Sequence, residues 1–388
     1  MNDVNVKEVL SKIELNLSNL VSGSRIVVAM SGGVDSSVTA AVLKYMGYDV
    51  IGITLQLYDS DALDNKKGAC CAGIDIYDAQ MVAQKIGIRH YVFNYKDNFF
   101  DSVILKFINS YENGETPIPC ILCNQKVKFE DLLKAAKTLD ASCMATGHYV
   151  RKISKNNTYH LLKGASSMKD QSYFLFSMTK DQMSFLEFPL GGLEKTETRM
   201  LAEYFGLDIA KKRDSQDICF VPNGNYRDVI KKYRGDLLCN SGNIVHIDSR
   251  AILGKHTGIT NYTIGQRRGI GLQSEEPLYV VKLETATNTV FVGERCYLSS
   301  KIVYIRDINW LAEDLYNIKS LFHTIDCTVK LRSTHKGVNA SVKFNEKDYS
   351  SGVVTLFSSY DAVTPGQACV MYDCDRMLGG GWIIEVKE

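Results

Sequence analysis

The chain has 388 residues, of which 45% are hydrophobic and 23% charged, and its formal net charge is +1. That length exceeds one ordinary core and predicts two or three domains, while the composition is that of a soluble globular protein. No apolar run is long enough for a membrane span, and a near-zero charge excludes a global field as the means of holding nucleic acid, so such a partner depends on local patches.

The first 24 residues are mixed in charge and lack a signal-peptide core. Val6, Leu10, Ile13, Leu17 and Leu20 fall at helical spacing and predict a short amphipathic helix. Residues 25–30 form an apolar run in which Val27 and Val28 are β-branched, which reads as a buried strand. Ser31-Gly32-Gly33-Val34-Asp35-Ser36 follows and opens a helical pattern over 36–46. Two adjacent glycines permit a sharp turn and bring backbone N–H groups up to a ligand. The helix behind adds its unpaired N–H groups and the positive end of its dipole, completing an anion site. No Lys follows the glycines, so this is not the GxxxxGK(S/T) loop of γ-phosphate transfer. The six residues resemble the pyrophosphate loop of ATP pyrophosphatases, which split ATP between the α and β phosphates. The plainer alternative is a Gly/Ser/Asp turn at an ordinary helix start.

Residues 48–57 and 89–94 read as strands, and 75–86, 97–111 and 125–139 as helices. A short apolar strand, 143–146, ends in Gly147-His148. Strands alternating with helices predict a parallel sheet with helices on both faces, and ligands bind beyond the carboxyl ends of such strands. Both the 31–36 loop and Gly147 lie there. Residues 151–176 suggest a hairpin excursion, and 196–205 a helix. From about 218 the character changes to short segments with many glycines. Alternating runs at 327–332, 340–344, 352–357, 368–372 and 382–386 predict a small antiparallel barrel from about 297. The expected organisation is 1–217, an α/β catalytic domain with a parallel sheet; 218–296, a small α+β central domain; and 297–388, a C-terminal antiparallel β-barrel.

Eleven cysteines, odd in number and irregular in spacing, do not read as a secreted disulfide framework, so a reducing cytoplasmic compartment is expected. Thr116-Pro117-Ile118-Pro119-Cys120-Ile121-Leu122-Cys123-Asn124 is the second informative stretch. Its prolines stiffen a loop and set the cysteines near a helix start, with Lys126 and Lys128 close by, a setting that favours thiolate. C-x-x-C alone is ambiguous among redox pair, metal half-site and nucleophile, and the lack of a second such pair argues against structural zinc. Cys219 in isolation reads as a core cysteine. Cys70 and Cys71 read as structural or incidental, and Cys143, Cys239, Cys296, Cys327, Cys369 and Cys374 as packing residues.

Seven motifs in one order resemble the bacterial tRNA-uridine 2-sulfurtransferases (tRNA-specific 2-thiouridylases) over nearly the whole chain. They are residues 29–36, 116–124, Ala145-Thr146-Gly147-His148-Tyr149, 169–175, Ser215-Gln216-Asp217-Ile218-Cys219, 264–269 and Thr364-Pro365-Gly366-Gln367. The resemblance implies that ATP adenylates the C2 oxygen of the wobble uridine and that sulfur then replaces it, releasing AMP. It makes Cys123 the nucleophile and Cys219 the residue carrying a persulfide from a sulfur-relay or cysteine-desulfurase donor protein. ATP would meet Ala29, Met30, Ser31, Gly32, Gly33, Val34, Asp35, Ser36, Leu55 and Gly147. Ile118, Pro119 and Cys120 would lie at the target base, and His148, Lys169, Asp170, Gln171, Arg332, Ser333 and Gln367 would meet tRNA. Mg²⁺ is expected with ATP; Asp35 is the nearest carboxylate, and an alternative reading has it cap the helix.

One departure matters. Many members carry Asp, a candidate general base, where this chain has Cys120. Related thiolases with three cysteines at the site hold a [4Fe–4S] cluster, so Cys120, Cys123 and Cys219 admit two mechanisms, a persulfide relay or a cluster. The overall resemblance favours the relay. Basic clusters at 211–213, 231–234, 267–268 and 330–336 each read as solvated faces and together could follow a tRNA backbone. The rival readings are another adenylating synthetase of the same loop class and an RNA-binding protein with a vestigial nucleotide site. Adenylation that depends on tRNA separates the three.

Overall fold

A computed structural model of the chain describes residues 3–17, 20–58, 72–155, 158–214, 217–221, 224–235, 240–312 and 324–388. It divides into two compact units. The first comprises Met1–Val103, Cys120–Asn223 and Asp375–Met377; the second comprises Ile104–Pro119, Gly224–Cys374 and Leu378–Glu388. No helix among the described residues is long and apolar enough to cross a membrane.

The first unit is built on a sheet of five parallel strands. These are β1 (Arg25–Ala29), β2 (Asp49–Gln56), β3 (Arg89–Asn94), β4 (Cys143–Ala145) and β7 (Leu186–Glu187), in the order β3-β2-β1-β4-β7. Helix α1 (Asp3–Asn16) buries Val6, Leu10 and Ile13 of the expected stripe, and Val9 beside them. Helix α2 (Val34–Tyr45) buries Val38, Ala41 and Val42 in the same core, and helix α3 (Ala72–Ile86) adds Ala79, Val82 and Ala83. The excursion over 151–176 contains a hairpin of β5 (Val150–Lys155) and β6 (Thr158–Lys163). Because β1 leads outward to β2 and β3 on one side, and β4 and β7 lie on the other, the chain reverses direction across the sheet between β1 and β4. A crevice opens at the carboxyl ends of strands at such a point.

The second unit carries two β structures. Strands β8 (Gly242–His246), β9 (Ile252–His256), β10 (Tyr279–Glu284) and β11 (Thr289–Gly293) form a sheet in the order β10-β11-β8-β9 around Ile244, Val280, Val290 and Val292. Helix Tyr226–Arg234 precedes it, an element the glycine-rich sequence did not announce. Six further strands follow: β12 (Ser299–Trp310), β13 (Thr324–Lys330), β14 (Val338–Phe344), β15 (Gly352–Asp361), β16 (Ala368–Asp373) and β17 (Arg376–Lys387). They run in the order β12-β15-β14-β13-β16-β17, and β12 pairs antiparallel with β17, closing the barrel the alternating runs predicted. Its interior is filled by residues such as Val303, Val329, Val342, Val354 and Leu378. The sequence reading did not identify β12, whose 12 residues complete the closure.

Within the first unit, Lys152 on β5 reaches Glu187 on β7 at 2.6 Å and also donates to the carbonyls of Met183 and Leu186. The side chains are 5% and 8% exposed, so removing one partner strands a buried charge. Lys152→Met is expected to cost about 3 kcal/mol in urea unfolding. Changing Glu187 to Gln in the Lys152→Met background is expected to recover part of that loss.

Candidate nucleotide and sulfur-transfer site

The 31–36 loop links β1 to α2 at the reversal point. Gly32 has φ +70°, a conformation that a side chain disfavours, and a Cβ there would fall 2.1 Å from the Asp75 carbonyl oxygen at the start of α3. Ser36 Oγ accepts from the Ser31 N–H at 3.1 Å and donates to the Gly33 carbonyl at 3.2 Å, closing the turn on itself. Gly147, just beyond β4, packs on the same loop. A Cβ at Gly147 would sit 2.8 Å from Asp35 C and 2.8 Å from Ser36 N. The two glycine motifs singled out in the sequence are therefore one site, and their contact is backbone against backbone. Leu55 lies near the end of β2, opposite Phe93 of β3.

Asp35 neither caps α2 nor stands bare. Gly33 occupies the N-cap position of α2, with no side-chain cap. Asp35 Oδ1 accepts from Lys195 Nζ at 2.6 Å and lies 2.8 Å from the Tyr149 hydroxyl. Lys195 also meets Asp214 at 2.9 Å, and Asp214 in turn meets Lys169 at 2.6 Å and Arg199 at 3.1 Å. Burial pushes the Asp214 carboxyl up, but its bonds to Lys169 and Lys195 outweigh that and hold it below the usual range. Asp35 is thus engaged as an ion-pair partner, a poor fit to an uncommitted magnesium ligand. Tyr149 closes the 145–149 motif, whereas Lys195 and Asp214 lie in no motif that sequence reasoning isolated. Lys212, read there as part of a solvated basic cluster, instead bonds Asp75 and Asp78, each at 2.6 Å.

The cysteine stretch departs from expectation. The helical run begins at Pro119, with Pro119–Leu122 as a single α turn and Cys123–Asp131 as a π-helical segment. Cys123 is buried, at 7% exposure, and Cys120 lies at the surface. Burial pushes the Cys123 thiol up, and Lys128 only partly offsets it. The low-pKa thiolate expected from the helix start is therefore not the resting state. Loss of water around the sulfur outweighs one lysine and a short helical turn, while Lys126 is spent on Glu130 at 3.2 Å. Cys219 is exposed in a turn anchored by Phe220, whose ring packs edge-on against Phe99 at 5.7 Å. Among the described residues no three Cys, His, Asp or Glu side chains are placed to hold a metal ion together. As arranged here, Cys120, Cys123 and Cys219 do not form a three-thiolate cluster site. None of the described cysteines is disulfide-bonded, and Cys143 and Cys369 are buried as expected. Cys296 and Cys374 are exposed, contrary to the packing role read for them. Cys70, Cys71 and Cys239, with Ser215 and Gln216 of the Cys219 motif, lie outside the described residues.

Several residues expected at tRNA have their side chains committed within the fold. Asp170 Oδ1 accepts from the N–H groups of Gly164 and Ser172, and Gln171 Oε1 accepts from the Tyr149 N–H at 2.9 Å. In the second unit Gln367 donates to the Thr116 carbonyl at 2.8 Å, and the Thr116 N–H donates to the Pro365 carbonyl, so the 364–367 turn holds the loop that ends in Ile118 and Pro119. Arg332 donates to the Ala362 carbonyl beside that turn, and Ser333 is exposed. Of the basic clusters, Lys330 is buried against the Tyr372 ring and Arg234 pairs with Glu112 at 2.9 Å, whereas Arg267 and Arg268 are exposed.

Fold and loop together define a pyrophosphate-loop nucleotide-binding domain followed by two β domains. Family models match all three: a tRNA methyl transferase HUP domain at residues 24–223, a tRNA methyl transferase PRC-barrel domain at 227–294 and an aminomethyltransferase beta-barrel domain at 300–383. The chain is 54% identical over 360 residues to the tRNA-specific 2-thiouridylase MnmA of Rickettsia bellii, covering 93% of this chain and 96% of that protein. It is 54% identical over 358 residues to the enzyme of the same name from Rickettsia prowazekii, covering 92% and 98%. A solved 4-thiouridine synthetase–RNA complex with bound ATP is also similar, at 17% identity over 49% of this chain and 43% of that one, with a TM-score of 0.33. The chain belongs to the tRNA-specific 2-thiouridylase family.

His148 stands next to Gly147, bonded through Nδ1 to Thr146 Oγ1 at 2.9 Å and edge-on to Phe129 at 5.8 Å. Loss of water, with Lys128 second, pushes its pKa down to about 3. The folded protein therefore holds a neutral imidazole, while the unfolded chain takes up a proton near the ordinary value of about 6.5. Stability from this group is complete above about 6.5 and declines as pH falls toward about 3. His148→Gln is expected to flatten the stability profile across that window, measured by urea unfolding at stepped pH.

Proposed function

We propose that this chain 2-thiolates the wobble uridine of tRNA, with ATP as activating substrate. The observation that carries the reading is the meeting of Gly147 with the 31–36 loop at the reversal point, in a unit that also holds Cys120, Cys123 and Cys219. Membership in the thiouridylase family supports it, and the 2-thiouridylase name of the relatives fits a site with cysteines beside a nucleotide loop.

Uridine C2 is a poor electrophile until its oxygen becomes a leaving group. Attack of that oxygen on the α-phosphate expels pyrophosphate, whose charge the loop N–H groups and the start of α2 receive. Mg²⁺ is expected to arrive on the ATP phosphates. The outer sulfur of a Cys219 persulfide then attacks C2, and AMP leaves with the former uridine oxygen. Cys123, as thiolate, attacks Cys219 Sγ; the S–S bond breaks, thiouridine departs, and a Cys123–Cys219 disulfide remains for an external thiol to reduce. The exposure of Cys219 suits loading by a persulfide donor protein. The burial of Cys123 keeps it protonated until substrate arrives. This chemistry suits a reducing, cytoplasmic setting. The target base leaves the anticodon stack to reach the site, the usual way single-stranded RNA bases are handled.

Exchange of radiolabelled pyrophosphate into ATP tests the order of events. Wild-type protein is expected to exchange only when tRNA is present. Cys123→Ser and Cys219→Ser are expected to keep exchange and lose thiolation. Exchange without tRNA points to the rival synthetases, and loss of exchange in both variants contradicts the assignment of these cysteines to the sulfur step.

A further inference from the structure

The mechanism leaves one half-buried lysine beside the nucleotide loop, Lys212, without a task. Lys212 Nζ donates to the Gly32 carbonyl at 3.0 Å, and Asp75 and Asp78 of α3 hold it, each at 2.6 Å. The chain around Lys212 is fixed in turn by Arg199, which donates to the carbonyls of Ala210 at 2.7 Å and Lys212 at 3.1 Å.

The bonded atom is the significant point. The Gly32 carbonyl and the Gly33 N–H belong to one planar trans peptide and point in opposite directions. A cation that fixes one fixes the other. The peptide lies between two glycines, which impose little barrier to rotation, and Gly32 already has φ +70°. Rotated by half a turn, it would present a carbonyl oxygen to an incoming phosphate where the loop must present an N–H. We propose that Lys212 is a positioning residue of the ATP site: it locks the Gly32–Gly33 peptide with its carbonyl outward, so that the Gly33 N–H serves the β and γ phosphates. This rests on the reading of the 31–36 loop as the ATP site and assigns Lys212 no contact with the substrate. The acidic pair Asp75 and Asp78 aims the ammonium. Burial alone would lower its pKa, but the two carboxylates outweigh that and keep it charged.

The test is calorimetric and needs neither tRNA nor sulfur. The dissociation constants of Mg-ATP, inorganic pyrophosphate and AMP are measured on the full chain and its variants. Lys212→Met is expected to weaken ATP and pyrophosphate by about tenfold, the scale of one charge-assisted hydrogen bond. AMP, which lacks the β and γ phosphates, is expected to bind as before. Lys212→Arg, still able to donate to the carbonyl, is expected to stay within about threefold of wild type. Unchanged ATP affinity in Lys212→Met, or equal loss of ATP and AMP, would overturn the proposal. If Lys212→Met does not fold, Asp78→Asn carries the same comparison, with selective loss of the two longer ligands expected and unchanged affinity overturning it. Wild-type protein that binds neither ATP nor pyrophosphate would instead remove the reading of the loop itself.

Discussion

The contact between Gly147 and the backbone of Asp35 and Ser36 is the constraint on which the first unit's site depends. A parallel sheet that reverses between β1 and β4 leaves a crevice there. Only a residue without a side chain lets the end of β4 come down onto the first turn of α2. With that approach made, the loop is pressed from one side by Gly147 and from the other by the Asp75 carbonyl against Gly32. Its N–H groups are then fixed by packing before any ligand arrives, the kind of preorganisation that anion binding rewards.

Charge completes what packing begins. Asp35, Lys195, Asp214, Lys169 and Arg199 form a chain of ion pairs through the floor of the site. These groups are partly buried, so each partner is costly to remove, and the network ties the loop, the start of helix Lys195–Tyr204 and Asp214 to one another. Loss of water raises the Cys123 thiol and outweighs the lysines whose charge was expected to lower it. A buried thiol held protonated is slow to oxidise.

Much of this was legible before any coordinates. The strand-loop-helix of 25–46, strand β3 and the barrel alternation follow from β-branched runs, glycine turns and period-two patterning. The pairing of the loop with Gly147 follows from where ligands sit on a parallel sheet. Helix Tyr226–Arg234 was missed because its apolar residues are few, and β12 because it is long and irregularly patterned. Lys195, Lys212 and Asp214 were invisible for a different reason. They lie more than 150 residues from the loop in sequence, and a lysine in a basic run looks the same whether it faces water or a carbonyl. Asp170 and Gln171 show the converse: polar residues in a functional motif whose side chains are taken up by backbone N–H groups.

Nucleoside mass spectrometry tests the thiolation most directly. The protein is given unmodified tRNA, Mg-ATP and a persulfide donor under anoxic conditions. 2-Thiouridine is expected at the anticodon wobble position, dependent on ATP. Intact tRNA with no thiolated uridine, from protein that binds both ATP and tRNA, would contradict that expectation.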